Sequence, residues 1–262
     1  MRAIAVTAAG LAAAILAGCT GRNDKEAEGD AGPATSRTIE VGEFRKLEVA
    51  GAYDVDVRTG SAPSVRVQGS ERDLDRLVVE VRGDVLEIHP KKGTNFNWSN
   101  KSKTRIAITV PQLDAARVAG SGSLSIDKIA SPSFDSAIAG SAEVSIGQVS
   151  GQSFKGSLAG SGDLEVGQLA VRTLELTVAG SGEAEVAGKA ERVKFSIAGS
   201  GDLDASKLES RDVELTIAGS GNVKARASGS VTGAVMGSGS AKITGGARCN
   251  VRKMGSGSVD CS

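Results

Sequence analysis

Large rings are scarce in this chain: Phe, Tyr and Trp together make up 3% of its 262 residues. A broad core built on aromatic side chains is therefore excluded, and the interior must be a narrow one lined by Val, Ile, Leu and Ala. Histidine is scarcer still. The only one, His89, stands beside Pro90 at a strand end, reads as a surface residue, and leaves no material for a His-rich metal centre or a Ser-His pair. Net charge is absent as well. Lys plus Arg and Asp plus Glu both number 31, so no overall basic field exists to attract nucleic acid. After the first residues there is also no apolar run approaching the ~20 needed to span a bilayer as a helix.

What is abundant is glycine, 35 residues, much of it placed at regular intervals. The tetrapeptide Ala-Gly-Ser-Gly, or a close variant, starts at Ala119, Ala139, Ala159, Ala179, Ala198, Ala218, Met236 and Met254, at intervals of 18 to 20 residues. A period of that length is the mark of stacked units. Aligned on the Ala, the preceding position holds Val118, Ile138, Leu158, Val178, Ile197, Ile217 and Val235, and the position five before it holds Phe134, Phe154, Leu174, Val193, Val213 and Val231. After the tetrapeptide come Leu124, Val144, Leu164, Ala184, Leu203 and Val223, then, two further on, Ile126, Ile146, Val166, Val186, Ala205, Ala225 and Ile243. Alternation with a period of two means strands with one buried face.

Each unit is strand, Gly-Ser corner, strand and short return. A hairpin array would not place the same residue class inward every 20 residues, whereas parallel coils stacked ~4.8 Å apart would. The expected fold is all-β, a parallel β-helix or β-solenoid with ~20-residue rungs. The corner glycines accommodate a reversal where stacked backbones leave no room for a β-carbon, and the Ser between them can bond locally or to the next rung. A phosphate-binding reading of Gly-x-Gly fails, because no helix follows and no Lys stands at P-loop spacing.

Upstream, VAGAYDVDV (Val49 to Val57) has the shape of a rung, so a first coil can begin at Ala50. SVRVQGS, LVVEVRGDVLEIHP and TRIAITVP then alternate as strands, with Gly83-Asp84 as a turn. Between the last two lies the polar loop KKGTNFNWSNKSK. It holds the single Trp, and Asn95, Phe96 and Trp98 make it a candidate recognition loop.

The amino terminus carries an address. Arg2, the small apolar stretch Ala3 to Leu16 and then Leu16-Ala17-Gly18-Cys19 read as a secretory signal (1–18) ending in a bacterial lipobox, with Cys19 as the acylated first residue of the mature chain. Thr20 in place of Asp matches outer-membrane sorting. Residues 19–37 are polar and small, a tether; 38–111 form an N-terminal β segment and 112–262 the repetitive segment of the same domain. The remaining cysteines, Cys249 and Cys261, fall in inward columns of the last rung, where a disulfide would pin the open end.

The entry strand FRKLEVAGAYDVDVRTG, the segments VEVRGDVLEIHP and TRIAITVP with Pro111, and the run of AGSG rungs resemble the head GIN domain family of auto-transporter adhesin heads, from Phe44 to Ser262. The resemblance implies a parallel β-helix-like fold in an envelope protein, and brings no catalytic residues with it.

Function would lie on outward positions. Glu143, Asp163, Glu183 and Asp202 form one outward column, and Glu165, Glu185 and Asp204 belong to the next. Carboxylates stacked at ~4.8 Å repel by roughly 1 kcal/mol per pair in water, so this face is a candidate site for Ca²⁺ or cationic groups, or else a solvated face that keeps the stack soluble. On the other strand Asp135, Lys155, Glu175, Lys194 and Glu214 alternate in sign, favouring one stacking register. The expectation is a non-catalytic, lipid-anchored envelope module for adhesion, binding or scaffolding, without a required cofactor, whose partner is envelope glycan or protein. The alternatives are a β-helix carbohydrate-active enzyme and a calcium-stabilised spacer.

Overall fold

A computed structural model of the protein describes residues 34–60, 62–93 and 104–262. The lipobox with Cys19, and Asn95, Phe96 and Trp98, lie outside the described residues. From Ala34 onward the chain forms β1 (Ala34–Ile39), β2 (Lys46–Gly51), β3 (Asp54–Thr59), β4 (Ser64–Ser70), the short helix α1 (Glu71–Asp75), β5 (Leu77–Arg82), β6 (Val85–Pro90) and β7 (Arg105–Val110). The array continues as β8 (Ala115–Gly120), β9 (Ser123–Ala130), β10 (Ser133–Gly140), β11 (Glu143–Ser150), β12 (Ser153–Gly160) and β13 (Asp163–Gly180). It ends with β14 (Glu183–Gly199), β15 (Asp202–Gly219), β16 (Asn222–Gly237), β17 (Ser240–Thr244), β18 (Arg248–Met254) and β19 (Ser258–Cys261).

The fold is the β-solenoid that the period dictates. Each strand from β8 onward pairs in parallel with its copy one rung away, so that Phe134 lies over Phe154, then Leu174, Val193, Val213 and Val231. All of these are buried. Along β11 the burial alternates until Gly147 and Gln148, two consecutive exposed residues, after which Val149 turns inward again. This break in the period of two is the second bend of each coil, and Ile129, Val149, Leu169 and Leu208 line the third side of the core.

Inside a rung, volumes compensate. Phe134 and Phe154, whose rings stack with centroids 6.0 Å apart, are followed two residues later by Ser136 and Gly156; where the Phe position shrinks to Val193, its neighbour grows to Phe195. The cross-section can therefore stay constant while the side chains vary.

The corner also takes its form from backbone proximity. Gly180 has φ of +133°, and a β-carbon there would collide with the carbonyl oxygen of Gly160 in the rung before. The Ser of each corner uses its amide, not its hydroxyl, to join the rungs: Ser141, Ser161, Ser181, Ser200 and Ser220 each donate at 2.8 Å to the corner Gly carbonyl one rung back. Their hydroxyls are exposed. The second glycine needs no positive φ, although a β-carbon on Gly182 would also collide with the Gly162 carbonyl oxygen; in two rungs Ala142 and Tyr53 occupy its place and are buried.

The first rung does begin before the array. β2 and β3 pair in parallel with β8 and β9, matching Ala50 to Ala119 and Gly51 to Gly120. On their other side lie β6 and β7, also parallel, so the β2–β3 rung is enclosed between segments that follow it in sequence. Beyond β6 and β7 the direction changes: β5 is antiparallel to β6, β4 to β7 and β1 to β4. These strands and α1, which buries Leu74, close that end of the stack. Strand β1 corrects the tether boundary. Residues 34–37, read as part of a flexible segment, are paired with β4, with Arg37 2.7 Å from Asp75. At the other end Cys249 and Cys261 are joined by a disulfide with a Cα–Cα distance of 6.6 Å. They continue the columns of Val231 and Ile243, and Lys253, exposed on this last rung, takes the register position of Val235. A Lys on the exposed edge is one way to discourage strand addition there.

Candidate functional site

The two acidic columns lie in register on one face. Glu143, Asp163, Glu183 and Asp202 are stacked neighbours, and so are Glu165, Glu185 and Asp204 beside them. The columns extend further than the array suggests, because Asp54 and Asp56 of β3 stack beneath Ser123 and Ser125.

The structure relieves the repulsion in two ways. An Asp is short enough to accept from the amide of the next rung: Glu183 N–H donates to Asp163 Oδ1 at 3.2 Å and Asn222 N–H to Asp202 Oδ1 at 2.9 Å. The same device recurs outside these columns, where Ser230 N–H donates to Asp212 at 3.1 Å. The longer Glu185 and the second-column Asp204 are met by cations instead, Lys207 at 2.8 Å and Lys224 at 2.9 Å. Burial alone would push the Asp204 carboxyl up, but hydrogen bonds from Ser206 and Lys224 outweigh it and hold the group at about 2.

That depression gives a pH prediction. A carboxyl lowered in the fold stabilises it fully above the unfolded value near 3.8, and the contribution fades as pH falls toward about 2. Asp204→Asn should therefore flatten the loss of stability between roughly pH 4 and 2, read from urea midpoints across that range. A parallel decline in both proteins would count against the assignment.

Among the described residues the acidic columns do not bring three carboxylate ligand atoms within 4.8 Å of one another. Asp163, Asp202, Glu185 and Asp204 fasten neighbouring rungs through these bonds.

The concave surfaces lie elsewhere. A groove of about 490 Å³ runs along the stack axis across β10 and β12 to β16, past the alternating column Asp135, Lys155, Glu175, Lys194 and Glu214, with hydroxyls such as Ser153 and Thr173 beside it. Lys155 and Glu175 approach to 3.9 Å. A second cleft, about 820 Å³, lies over β3, β4, β7 and β9, lined by Arg58, Arg66, Arg105, Asp54 and Asp56 as well as by apolar residues, with Arg58 3.5 Å from Asp56. A third, about 500 Å³, has an apolar floor of Ala50, Ala119, Ala139 and Ala159 bounded by Glu48, Arg117 and His89. The alternating charges were visible in the sequence; that they line a groove follows from the curvature of the coil. Among the described residues no helix is long and apolar enough to cross a membrane.

The family model described as "Putative auto-transporter adhesin, head GIN domain" matches residues 43–247. A solved structure from Parabacteroides distasonis, described as a "putative lipid binding protein", is 29% identical over 88% of this chain and 97% of its own, with a TM-score of 0.82. A "putative adhesin" from the same organism is 22% identical over 88% and 98% of the two chains, with a TM-score of 0.76. Another, from Parabacteroides merdae, is 19% identical over 88% and 97%, with a TM-score of 0.77. These last two share the fold. No curated protein matches the chain.

Proposed function

The chain belongs to the head GIN domain family, and on that premise we propose that it is a non-catalytic binding module of the bacterial envelope, held to the outer membrane by acylation of Cys19. Its ligand is an extended polymer such as envelope glycan. One observation carries this reading: the charged, hydroxyl-bearing groove runs along the stack rather than converging on a pocket, so it presents the same kinds of group rung after rung to a ligand that is itself repetitive. The adhesin descriptions attached to the family and to the solved relatives support it.

A second reading rests on the alanine-floored groove and on the 29% identical relative described as lipid binding: an acyl chain laid on that floor. Co-sedimentation of the purified protein with envelope polysaccharide and with peptidoglycan tests the first reading, and flotation with phospholipid vesicles tests the second. Saturable pelleting without released sugar is the expected result, weakened by charge reversal at Lys155 and Lys194. Released sugar would make the protein an enzyme, and flotation of a Cys19→Ser protein without pelleting would favour the lipid.

A further inference from the structure

Apart from the acidic columns, the β5–β6 hairpin gathers three side chains of ligand type. Glu80 and Glu87 are directly opposite across the antiparallel pair, and His89 follows Glu87 by two residues, on the same face. One ligand atom from each lies within 4.8 Å of the other two, the only such group among the described residues. Two carboxylates facing each other across a strand pair repel and call for a positive partner. Arg82 supplies part of it, 2.6 Å from Glu80 and 3.4 Å from Glu87.

His89 is set differently. Its Nδ1 lies 3.0 Å from the Pro90 carbonyl oxygen, and its Nε2 lies 3.9 Å from the Glu80 carboxylate. An N–H at Nδ1 donates to the carbonyl and turns the Nε2 lone pair toward the anion. A gap of 3.9 Å is too long for a hydrogen bond, and with the ring neutral a lone pair facing a carboxylate favours a cation between them. Two ligands on one tetrahedral zinc, each at ~2.0–2.2 Å, stand about 3.4 Å apart, so side-chain adjustments of about an ångström, within the reach of rotamer changes, would close the site. The Nδ1 contact to a carbonyl is the outer bond that orients a metal-bound imidazole.

We propose that Glu80, Glu87 and His89 form a binding site for a divalent transition ion of the zinc type. One imidazole and two carboxylates suit such an ion, whereas Ca²⁺ requires about six to eight oxygens. The side chains are 24% to 39% exposed, which gives the ion a way in. Three protein ligands leave a coordination position for water, and Glu87 and His89 also border the alanine-floored groove, which puts the ion at its rim.

Titration calorimetry of Zn²⁺ into the purified chain tests this, in a Cys19→Ser background so that no thiol competes, with the Cys249–Cys261 bond intact. One ion per chain is expected. His89→Ala should weaken binding by roughly 10-fold or more, and Arg82→Ala should strengthen it, because the guanidinium competes for the same carboxylate oxygens. The gain in the Arg82 variant cannot arise from a loosened hairpin, so it stands even if His89→Ala perturbs the fold. No binding by the parent chain, equal binding by the His89→Ala chain, or no gain in the Arg82→Ala chain overturns the site; the last two would trace any signal to ion binding elsewhere.

Discussion

Gly180→Val should destabilise the stack by roughly 3 kcal/mol or more, while Ser181→Ala, one residue on, should change stability by no more than about 0.5 kcal/mol. Two costs combine at Gly180. Its φ of +133° belongs to a region that residues with a branched β-carbon scarcely enter, and the added carbon would run into the Gly160 carbonyl oxygen, a backbone atom already fixed by accepting from Ser181 at 2.8 Å. Neither strain can be relieved without moving a rung. Ser181 loses only an exposed hydroxyl, because its inter-rung bond runs through the amide. Gly182→Ala should fall between the two: its added carbon would also meet a backbone carbonyl, that of Gly162, but no positive φ is required there and Ala142 holds the equivalent place in its own rung. Urea denaturation followed by circular dichroism gives the comparison, and similar costs for Gly180→Val and Ser181→Ala would refute the stacked-corner explanation.

Phe154→Ala is expected to cost about 3–5 kcal/mol. The ring is 1% exposed, stacks on Phe134 and is followed by Gly156, whose space Leu164 and Leu176 already occupy, so those side chains are committed and the void left by the ring stays open. Above it, Leu174 and Leu176 are already fixed by their own contacts with the next coil. Relaxation into the cavity would require sliding β12 against strands bonded on both sides. The same denaturation experiment reads the loss, and a cost below about 1 kcal/mol would mean that the column is not close-packed.

Which parts of this were legible beforehand follows from where each signal is encoded. Rungs from Ala119 onward can be read because residues one period apart share an environment, so Phe134, Phe154 and Leu174 declare a column without any structure. The closed end is harder. Antiparallel pairing of β1 with β4 leaves no period, and β1 offers only Ile39 as a large apolar residue, so it resembles the tether it follows. Helix α1 is five residues with a single buried side chain, too short for a helical pattern to register, although the Ser70 cap, which accepts from Asp73 N–H at 3.1 Å, is a local start signal. The acidic columns were readable as columns, but not what satisfies them. Lys207 reaches Glu185 from the return segment, where the pairing register shifts, and Asp54 meets Ser123 across 69 residues. For Glu80, Glu87 and His89 the Gly83-Asp84 turn could be seen, but only the strand register places His89 diagonal to Glu80.

The enclosure of β2 and β3 between later strands makes the stack directional in time. Those two strands cannot be sandwiched until β6 to β9 have been made, so the closed end must draw together segments up to 69 residues apart, a slow nucleation by loop closure. Every rung after β9 needs only the one about 20 residues before it, already in place as a template. Once the closed end has formed, each later rung can add through contacts with the one before it, in the order in which the chain emerges. A substitution in β6 or β7 should delay the whole structure, whereas one in β16 to β19 should only hasten the fraying of its tip.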